Sequence, residues 1–239
     1  MADPPTPDRP RRHRRSRRGA DVDAASRRRR MVDRDIAARG VRDQAVLEAM
    51  GSVPRERFVS DKMADVAYDD RPLPIADRQT ISQPFMVARM TEAAEIGPDD
   101  RVLEVGAGSG YGAAVASRLA DEVWAIERHE ALALGAAAVL QSLGYDNAHV
   151  VRGDGTLGYR AAAPFDAIIV TAGGPKVPEA LLTQLADGGR LVMPVGAGRA
   201  GQELIRLRRR SGRYRRDRLG PVRFVPLIGE QGYSSESAE

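Results

Sequence analysis

Arg101-Val-Leu-Glu-Val-Gly-Ala-Gly-Ser-Gly-Tyr-Gly112 decides the fold of this 239-residue chain. Val102 to Val105 read as a short buried strand. They run directly into Gly106, Gly108, Gly110 and Gly112, with an apolar, Ala-rich segment behind them. A strand that ends in glycines before a helix lets a ligand approach bare backbone at the helix's positive N-terminus. This is the pattern of a nucleotide-binding turn, and the neighbouring sequence must say which nucleotide.

Downstream, the alternation is regular. A helix is expected over about 111–119, and Glu122-Val-Trp-Ala-Ile126 reads as a strand ending at Glu127. A helix follows over about 130–143 and stops at Gly144. His149-Val-Val151 is a strand leading to Gly153-Asp154-Gly155. Phe165-Asp-Ala-Ile-Ile-Val-Thr171 is a β-branched strand, 178–185 a helix, and Arg190-Leu-Val-Met-Pro-Val195 a fifth strand. Short apolar strands alternating with helices indicate a parallel sheet covered on both faces. The end differs: Glu203–Arg208 alternates, then Ser211-Gly212 turns the chain toward Tyr214 and Val222–Pro226. That reads as an antiparallel pair on one sheet edge. Its many arginines, from Arg206 to Arg218, form either a basic patch or solvated charges that discourage edge-to-edge pairing.

Upstream, helical spacing starts at Met31, with Gly40 a break. Asp43 is placed to cap a short helix closed by Gly51, and Pro54 to open a further piece through Phe58. Leu73–Pro84 reads as a loop by its prolines, leading into a helix over about 84–95. Thr80 and Ser82 are both plausible N-caps of that helix, and Thr80-x-x-Gln83 fits a capping box. The competing reading turns one hydroxyl, with the first N–H groups of the helix, toward an anionic ligand.

Composition narrows the class. There is no cysteine, which excludes a disulfide scaffold, a zinc-thiolate site and a thiol nucleophile. No apolar run approaches the ~20 residues of a membrane span or the core of a signal peptide, so no membrane partner and a cytoplasmic location are expected, and a monomer. Residues 1–30 carry eleven arginines and four aspartates, a net +7 against +4 for the whole chain, so 31–239 carry about −3. With almost nothing large and apolar, 1–30 is expected to be a disordered Arg-rich tail. Its alternative use is as a basic arm for nucleic acid. The expected division is 31–95 as a helical cap with a substrate loop, 96–232 as the main domain and 233–239 as a flexible C-terminus.

Three cofactors compete for the glycine turn. A phosphate loop fails, because no Gly-Lys-Ser/Thr occurs in the chain. A dinucleotide fold matches loosely through Gly108-x-Gly110-x-x-Ala113. The third candidate, S-adenosylmethionine, is favoured by three acids. Glu104 lies on the first strand, where a carboxylate can meet the methionine ammonium. Glu127 ends the second strand within reach of ribose hydroxyls. Asp154, between Gly153 and Gly155, ends the third, where it can take a bond from the adenine amine. All three fall at the strand edge where open α/β sheets bind ligands.

The acceptor is suggested by resemblance. Gln79-Thr-Ile-Ser-Gln-Pro84, followed by Met86-Val-Ala-Arg-Met-Thr-Glu92, resembles the signature of the protein-L-isoaspartate O-methyltransferase family. So do Val53-Pro-Arg-Glu-Arg-Phe-Val59, Glu104-Val-Gly-Ala-Gly-Ser-Gly-Tyr111, Gly153-Asp-Gly155, Ala163–Thr171, Gly188-Gly-Arg-Leu-Val192 and Phe224-Val-Pro-Leu227. The matches run in order from about residue 31 to 229. The resemblance implies a Rossmann-like class I S-adenosylmethionine-dependent methyltransferase sheet. It would be mostly parallel with antiparallel C-terminal strands, plus a small N-terminal helical cap. It also implies methyl esterification of the free α-carboxylate of isoaspartyl residues in damaged proteins, which starts their repair through a succinimide. By the family's pattern Ser82 is the active-site residue. Thr80 and the 73–75 loop help form the substrate cleft with Ile81 and Gln83, and 222–227, with Val222 and Phe224, line its other side. Asp77-Arg78 departs from the pattern, which has Gly before the Gln-Thr-Ile-Ser block, and Thr171-Ala-Gly-Gly-Pro175 replaces a more alanine-rich turn.

The chemistry suits the residues. A carboxylate is ionised at pH 7 and attacks a sulfonium methyl without a general base, and His13, His129 and His149 lie in no motif that would make them bases. Rival acceptors fare worse. Amino methylation of nucleic acid usually needs an Asn/Asp-Pro-Pro-aromatic turn, absent at Thr171–Gly174, and methylation of a base carbon through a cysteine adduct needs a cysteine. Carboxyl methylation of aspartate in a dedicated peptide goes with extra C-terminal sequence in the relatives that do it. A non-enzymatic RNA-binding protein with a vestigial body would have no reason to keep Glu104, Glu127 and Asp154.

Overall fold

The computed structural model describes residues 17–196 and 201–234. The expectations for 1–16 (His13 among them) and for 235–239 lie outside the described residues. In chain order the elements are α1 (Arg17–Arg30), α2 (Gln44–Ser52), the two-residue strands β1 (Leu73–Pro74) and β2 (Thr80–Ile81), and α3 (Pro84–Ala94). Then come β3 (Arg101–Val105), α4 (Tyr111–Ala116), β4 (Glu122–Glu127), α5 (Glu130–Ser142), β5 (Ala148–Arg152) and β6 (Phe165–Val170). α6 (Glu179–Gln184), β7 (Leu185–Val195), β8 (Gln202–Arg210) and β9 (Arg213–Val222) complete the chain. No described helix is long and apolar enough to cross a membrane.

One seven-stranded sheet has the order β5-β4-β3-β6-β7-β8-β9. It is parallel from β5 to β7, while β8 and β9 run antiparallel to their neighbours, as the alternation of 203–208 and the Ser211-Gly212 turn imply. The chain leaves β3 on one side for β4 and β5, then returns on the other for β6. The switch point, where such sheets bind ligands, therefore lies between the ends of β3 and β6. Strand alternation divides the core between two layers. Val102, Val123, Ala167 and Val192 pack with the N-terminal helices, α3 and α4. Leu103, Val105, Ile168, Val170, Leu191 and Met193 pack with α6.

The cap forms where its punctuation predicts. Gly40 ends the first helical stretch at φ +103°, and Asp43 caps α2, its Oδ1 accepting the Val46 N–H at 3.2 Å. The helix runs past Gly51 to Ser52.

Two expectations change. The Arg-rich segment is helical from Arg17 on, because it extends the helical turn Met31–Ile36, whose Met31 and Ile36 are buried. Among the residues of α1 whose burial is described, Ala24 joins the core. The helix is tied down by Arg27 donating to the Asp65 carbonyl at 2.6 Å and Arg28 to the Tyr68 hydroxyl at 3.2 Å. The 73–84 loop, in turn, contains a hairpin in which Leu73 pairs with Ile81 and Pro74 with Thr80. Its turn residues Asp77 and Arg78 have φ of +53° and +56°, and Gln79 N–H closes it on the Ala76 carbonyl at 3.0 Å. Two positive φ values in a two-residue turn suit Asn-Gly or Asp-Gly, so Arg78 holds a conformation that costs an L-residue about 1 kcal/mol.

Replacing Arg78→Gly should raise the thermal midpoint by about 1–3 °C; a fall would contradict the strained turn. A chain lacking 1–30 should melt about 3 °C or more below one lacking only 1–16, since it loses the α1 contacts.

Candidate active site

At the switch point the backbone is held very close to its neighbours. Gly106, Gly108 and Gly110 all have positive φ, +95°, +54° and +88°. Gly106 and Ala107 donate to the Ile126 carbonyl at 2.9 and 3.0 Å, docking the turn on β4. Across the switch point the Thr171 hydroxyl bonds the Val105 and Gly106 carbonyls at 3.0 and 2.8 Å. A Cβ at Gly106 would strike that hydroxyl, so φ and space both demand glycine there.

The three acids stand at the strand ends but in different states. Glu104 shares the Val102 face of β3, beneath the first turn of α4, and is 5% exposed. Burial pushes its carboxyl up to about 8 from 4.5. An Ala113 N–H works the other way, and the charge of Glu127 adds to the rise. Its Oε2 has no hydrogen-bond partner among the described residues. Any side chain at Gly112 would collide with it. Glu127 is also buried; its Oε2 accepts the Gly108 N–H and its Oε1 the His129 N–H, both at 2.9 Å.

Asp154 is placed differently from the expectation. Its Oδ1 accepts the Thr156 N–H and hydroxyl at 2.9 and 2.7 Å, and its Oδ2 accepts the Glu230 N–H at 2.8 Å. Burial opposes its charge, yet the N–H groups of Glu230 and Thr156 and the Thr156 hydroxyl hold it below the ordinary carboxylate range. The carboxylate fastens the C-terminal segment to the end of β5, leaving Gly155 to face the cleft.

The Thr-Ile-Ser-Gln-Pro block is organised from a distance. Neither Thr80 nor Ser82 caps α3, whose N-cap is Gln83, and the Gln83 side chain makes no capping bond. The capping is done by Asp70, whose Oδ1 accepts the Phe85 N–H at 3.0 Å. Its Oδ2 and its main-chain carbonyl accept the Gln83 amide at 2.7 and 3.0 Å. The capping-box reading is therefore corrected. A carboxylate fifteen residues upstream takes the orphan N–H, leaving the two hydroxyls to the cleft. The Gln83 amide nitrogen is likewise committed to Asp70. No local spacing signals Asp70.

The opposite wall is the segment after β9. Phe224 is buried, and Gln202 brackets its backbone, accepting its N–H at 2.6 Å and donating to its carbonyl at 3.2 Å. Gly173 N–H bonds the Val225 carbonyl, and Leu227 N–H the Gly173 carbonyl, each at 2.8 Å. A side chain at Gly173 would displace Gln202, which accounts for glycine in the Thr171–Gly174 turn.

All this surrounds one cleft of about 1320 Å³, larger than the ~300–1,000 Å³ of ordinary small-molecule sites. It brings together Thr80, Ile81, Ser82, Gln83, Glu104, Gly106, Gly108, Glu127, Gly155, Val222 and Phe224. Gly110, Gly153 and Asp154 stand behind its wall. His129 reaches the rim, its Nδ1 3.9 Å from Asp77, while His149 stacks on Trp124 away from it.

The comparisons agree with this geometry. Residues 26–232 match the family model "Protein-L-isoaspartate(D-aspartate) O-methyltransferase (PCMT)". The chain is 56% identical over 216 residues to protein-L-isoaspartate O-methyltransferase 1 of Rhodopseudomonas palustris (strain HaA2), covering 90% of this chain and 88% of that one. It is 54% identical over 209 residues to the protein-L-isoaspartate O-methyltransferase of Protochlamydia amoebophila (strain UWE25), covering 87% and 100%. A solved protein-L-isoaspartate O-methyltransferase superposes with a TM-score of 0.77 at 30% identity, covering 85% of this chain and 67% of that one. A Plasmodium falciparum β-aspartate methyltransferase (PCMT), solved in complex with S-adenosyl-L-homocysteine, superposes with a TM-score of 0.72 at 26% identity, covering 84% and 98%. With its glycine turn, uncommitted hydroxyls and clamped wall in one cleft, this chain belongs to the protein-L-isoaspartate(D-aspartate) O-methyltransferase family.

Proposed function

We propose that the cleft works as follows: the glycine turn and its acids hold S-adenosylmethionine, and Ser82 and Thr80 hold the free α-carboxylate of an isoaspartyl residue against it. The protein is an S-adenosylmethionine-dependent protein-L-isoaspartate O-methyltransferase. The observation that carries the division of roles is the release of Thr80 and Ser82 from capping by Asp70.

The residues present suit the cofactor. Gly106 and Gly108 leave backbone bare, the unpartnered Oε2 of Glu104 suits an ammonium, and Glu127 keeps lone pairs for ribose hydroxyls. When bound, S-adenosylmethionine supplies a methyl group on a positively charged sulfur that departs as a neutral thioether. Everything else is positioning. The acceptor carboxylate is already ionised at pH 7, so no base is needed, and the wall at 222–224 and the Thr80–Ser82 edge restrict its approach. Ser82 donates a hydrogen bond to the carboxylate oxygen. The ester then closes to a succinimide without help, and hydrolysis returns part of it to normal aspartate.

An isoaspartyl peptide beside its aspartyl twin, with labelled cofactor, tests the acceptor. Base-labile label should appear on the isoaspartyl peptide alone, and label on RNA or DNA instead would overturn the reading. Because a hydrogen bond to a charged group is worth about 1.5–3 kcal/mol, Ser82→Ala should lower kcat/KM by about tenfold or more without abolishing turnover. Full activity in that variant would remove Ser82 from the site.

Glu104 yields a pH prediction. Its folded-state value near 8 lies above the unfolded 4.5. The stabilisation from its retained proton is full below about pH 4.5 and is lost as pH rises through 8. Holding the cofactor's ammonium requires the ionised form, so S-adenosylhomocysteine should bind more tightly as pH rises from about 6 to 8, with proton release seen by calorimetry in two buffers. Glu104→Gln should flatten that profile, weaken binding about tenfold or more and raise the melting temperature of the free enzyme at alkaline pH. Unchanged affinity would dissociate Glu104 from the cofactor.

A further inference from the structure

The acceptor half of the cleft carries positive charge that methyl transfer itself does not use. Arg39, Arg89 and Arg223 line it. Of the carboxylates on that side, Asp77 stands at the hairpin turn 3.9 Å from His129, and the others are engaged elsewhere. Asp70 holds Gln83, the Phe85 N–H and Arg39. Glu92 accepts the N–H groups of Arg42 and Asp43 at 2.6 and 2.9 Å. Glu104 and Glu127 belong to the cofactor side. Arg39 and Arg89 lie over the Phe85 ring, 3.7 and 6.0 Å from its centroid, and Arg89 also donates to the Leu219 carbonyl. Arg39, Phe85 and Arg89 also wall a smaller adjoining cavity of about 300 Å³.

Arg39 and Arg223 are both exposed, but Arg39 is paired with Asp70. Arg223 sits between Val222 and the buried Phe224, whose backbone Gln202 clamps on both sides. The root of its side chain is therefore fixed at the rim, while its guanidinium has no carboxylate partner among the described residues. Arg39, Arg89 and Arg223 line the same cleft as Ser82.

We propose that this arginine rim is a subsite for an acidic side chain flanking the isoaspartyl residue, with Arg223 as its specificity-determining contact. The inference rests on the acceptor assignment above and extends it from the reacting residue to its neighbours. The enzyme thereby favours damaged segments that carry a second negative charge beside the one it methylates. Because the rim faces solvent, the preference is modest and screened by salt, about fivefold rather than a hundredfold. It acts on capture of the substrate rather than on the methyl-transfer step.

The test is a series of isoaspartyl peptides identical except for one flanking residue, Glu, Gln or Lys, placed on either side. Steady-state rates are measured for the wild type, Arg223→Gln, Arg223→Glu and, as a control on the exposed sheet edge, Arg216→Gln. The wild type should rank Glu above Gln above Lys on at least one side, by about fivefold per step through KM, with the steps shrinking toward twofold at about 0.5 M salt. Arg223→Gln should compress the ranking, Arg223→Glu should invert it, and Arg216→Gln should keep it. Thermal melts establish that each variant is folded. A flat series in the wild type would overturn the proposal. So would an equal loss on all three peptides in Arg223→Gln, which would place Arg223 on the reacting carboxylate itself. Failure of the wild type to methylate any isoaspartyl peptide would instead remove the acceptor assignment on which the subsite rests.

Discussion

A carboxylate sealed under the first turn of a helix is the constraint around which the glycine-turn side of the cleft is built. Strand alternation sends Val102 and Glu104 to the same face of β3, and α4 covers that face. A carboxylate fits there only because residue 112 has no side chain. The last of the four glycines thus makes room for the acid. The Ala113 N–H compensates part of the burial, and the remaining oxygen has no partner among the described residues. The folded protein therefore keeps this group in an unfavourable buried state.

What was legible in the sequence was local. The parallel strands appear as β-branched runs a few residues long, the glycine turn as residues that must adopt positive φ, and the antiparallel pair as alternation around Ser211-Gly212. The acids were placed by a rule of sheets, that ligands meet the carboxyl ends of strands, and Glu104 and Glu127 follow it into the cleft. Asp154 obeys the rule in position but turns its oxygens to Thr156 and Glu230, which no pattern around Gly153-Asp154-Gly155 could announce.

The illegible parts depend on partners far along the chain. Asp70 reaches Phe85, Gln202 reaches Phe224 and Thr171 reaches Gly106. Each is a single polar residue whose meaning appears only when the fold closes. α1 escaped for another reason: its docking uses arginine side chains on a carbonyl and a hydroxyl rather than an apolar stripe. The arginines of the last hairpin do not all follow one reading, and some are ion-paired. Arg206 and Arg208 converge on Asp217 and Glu95, while Arg213, Arg215 and Arg216 remain exposed along the sheet edge.

The strip of chain from Val222 to Glu230 serves both halves of the cleft. Its first residues form the cleft wall opposite Thr80–Ser82, and its last is bonded to Asp154 just beyond the end of β5. Gly229 lies between these duties, and any side chain there would meet the Asp154 carboxylate. A substitution at position 229 would thus push against β5 while also dragging on the wall that carries Phe224. Its kinetic signature would mix donor and acceptor defects, although the residue lines neither subsite.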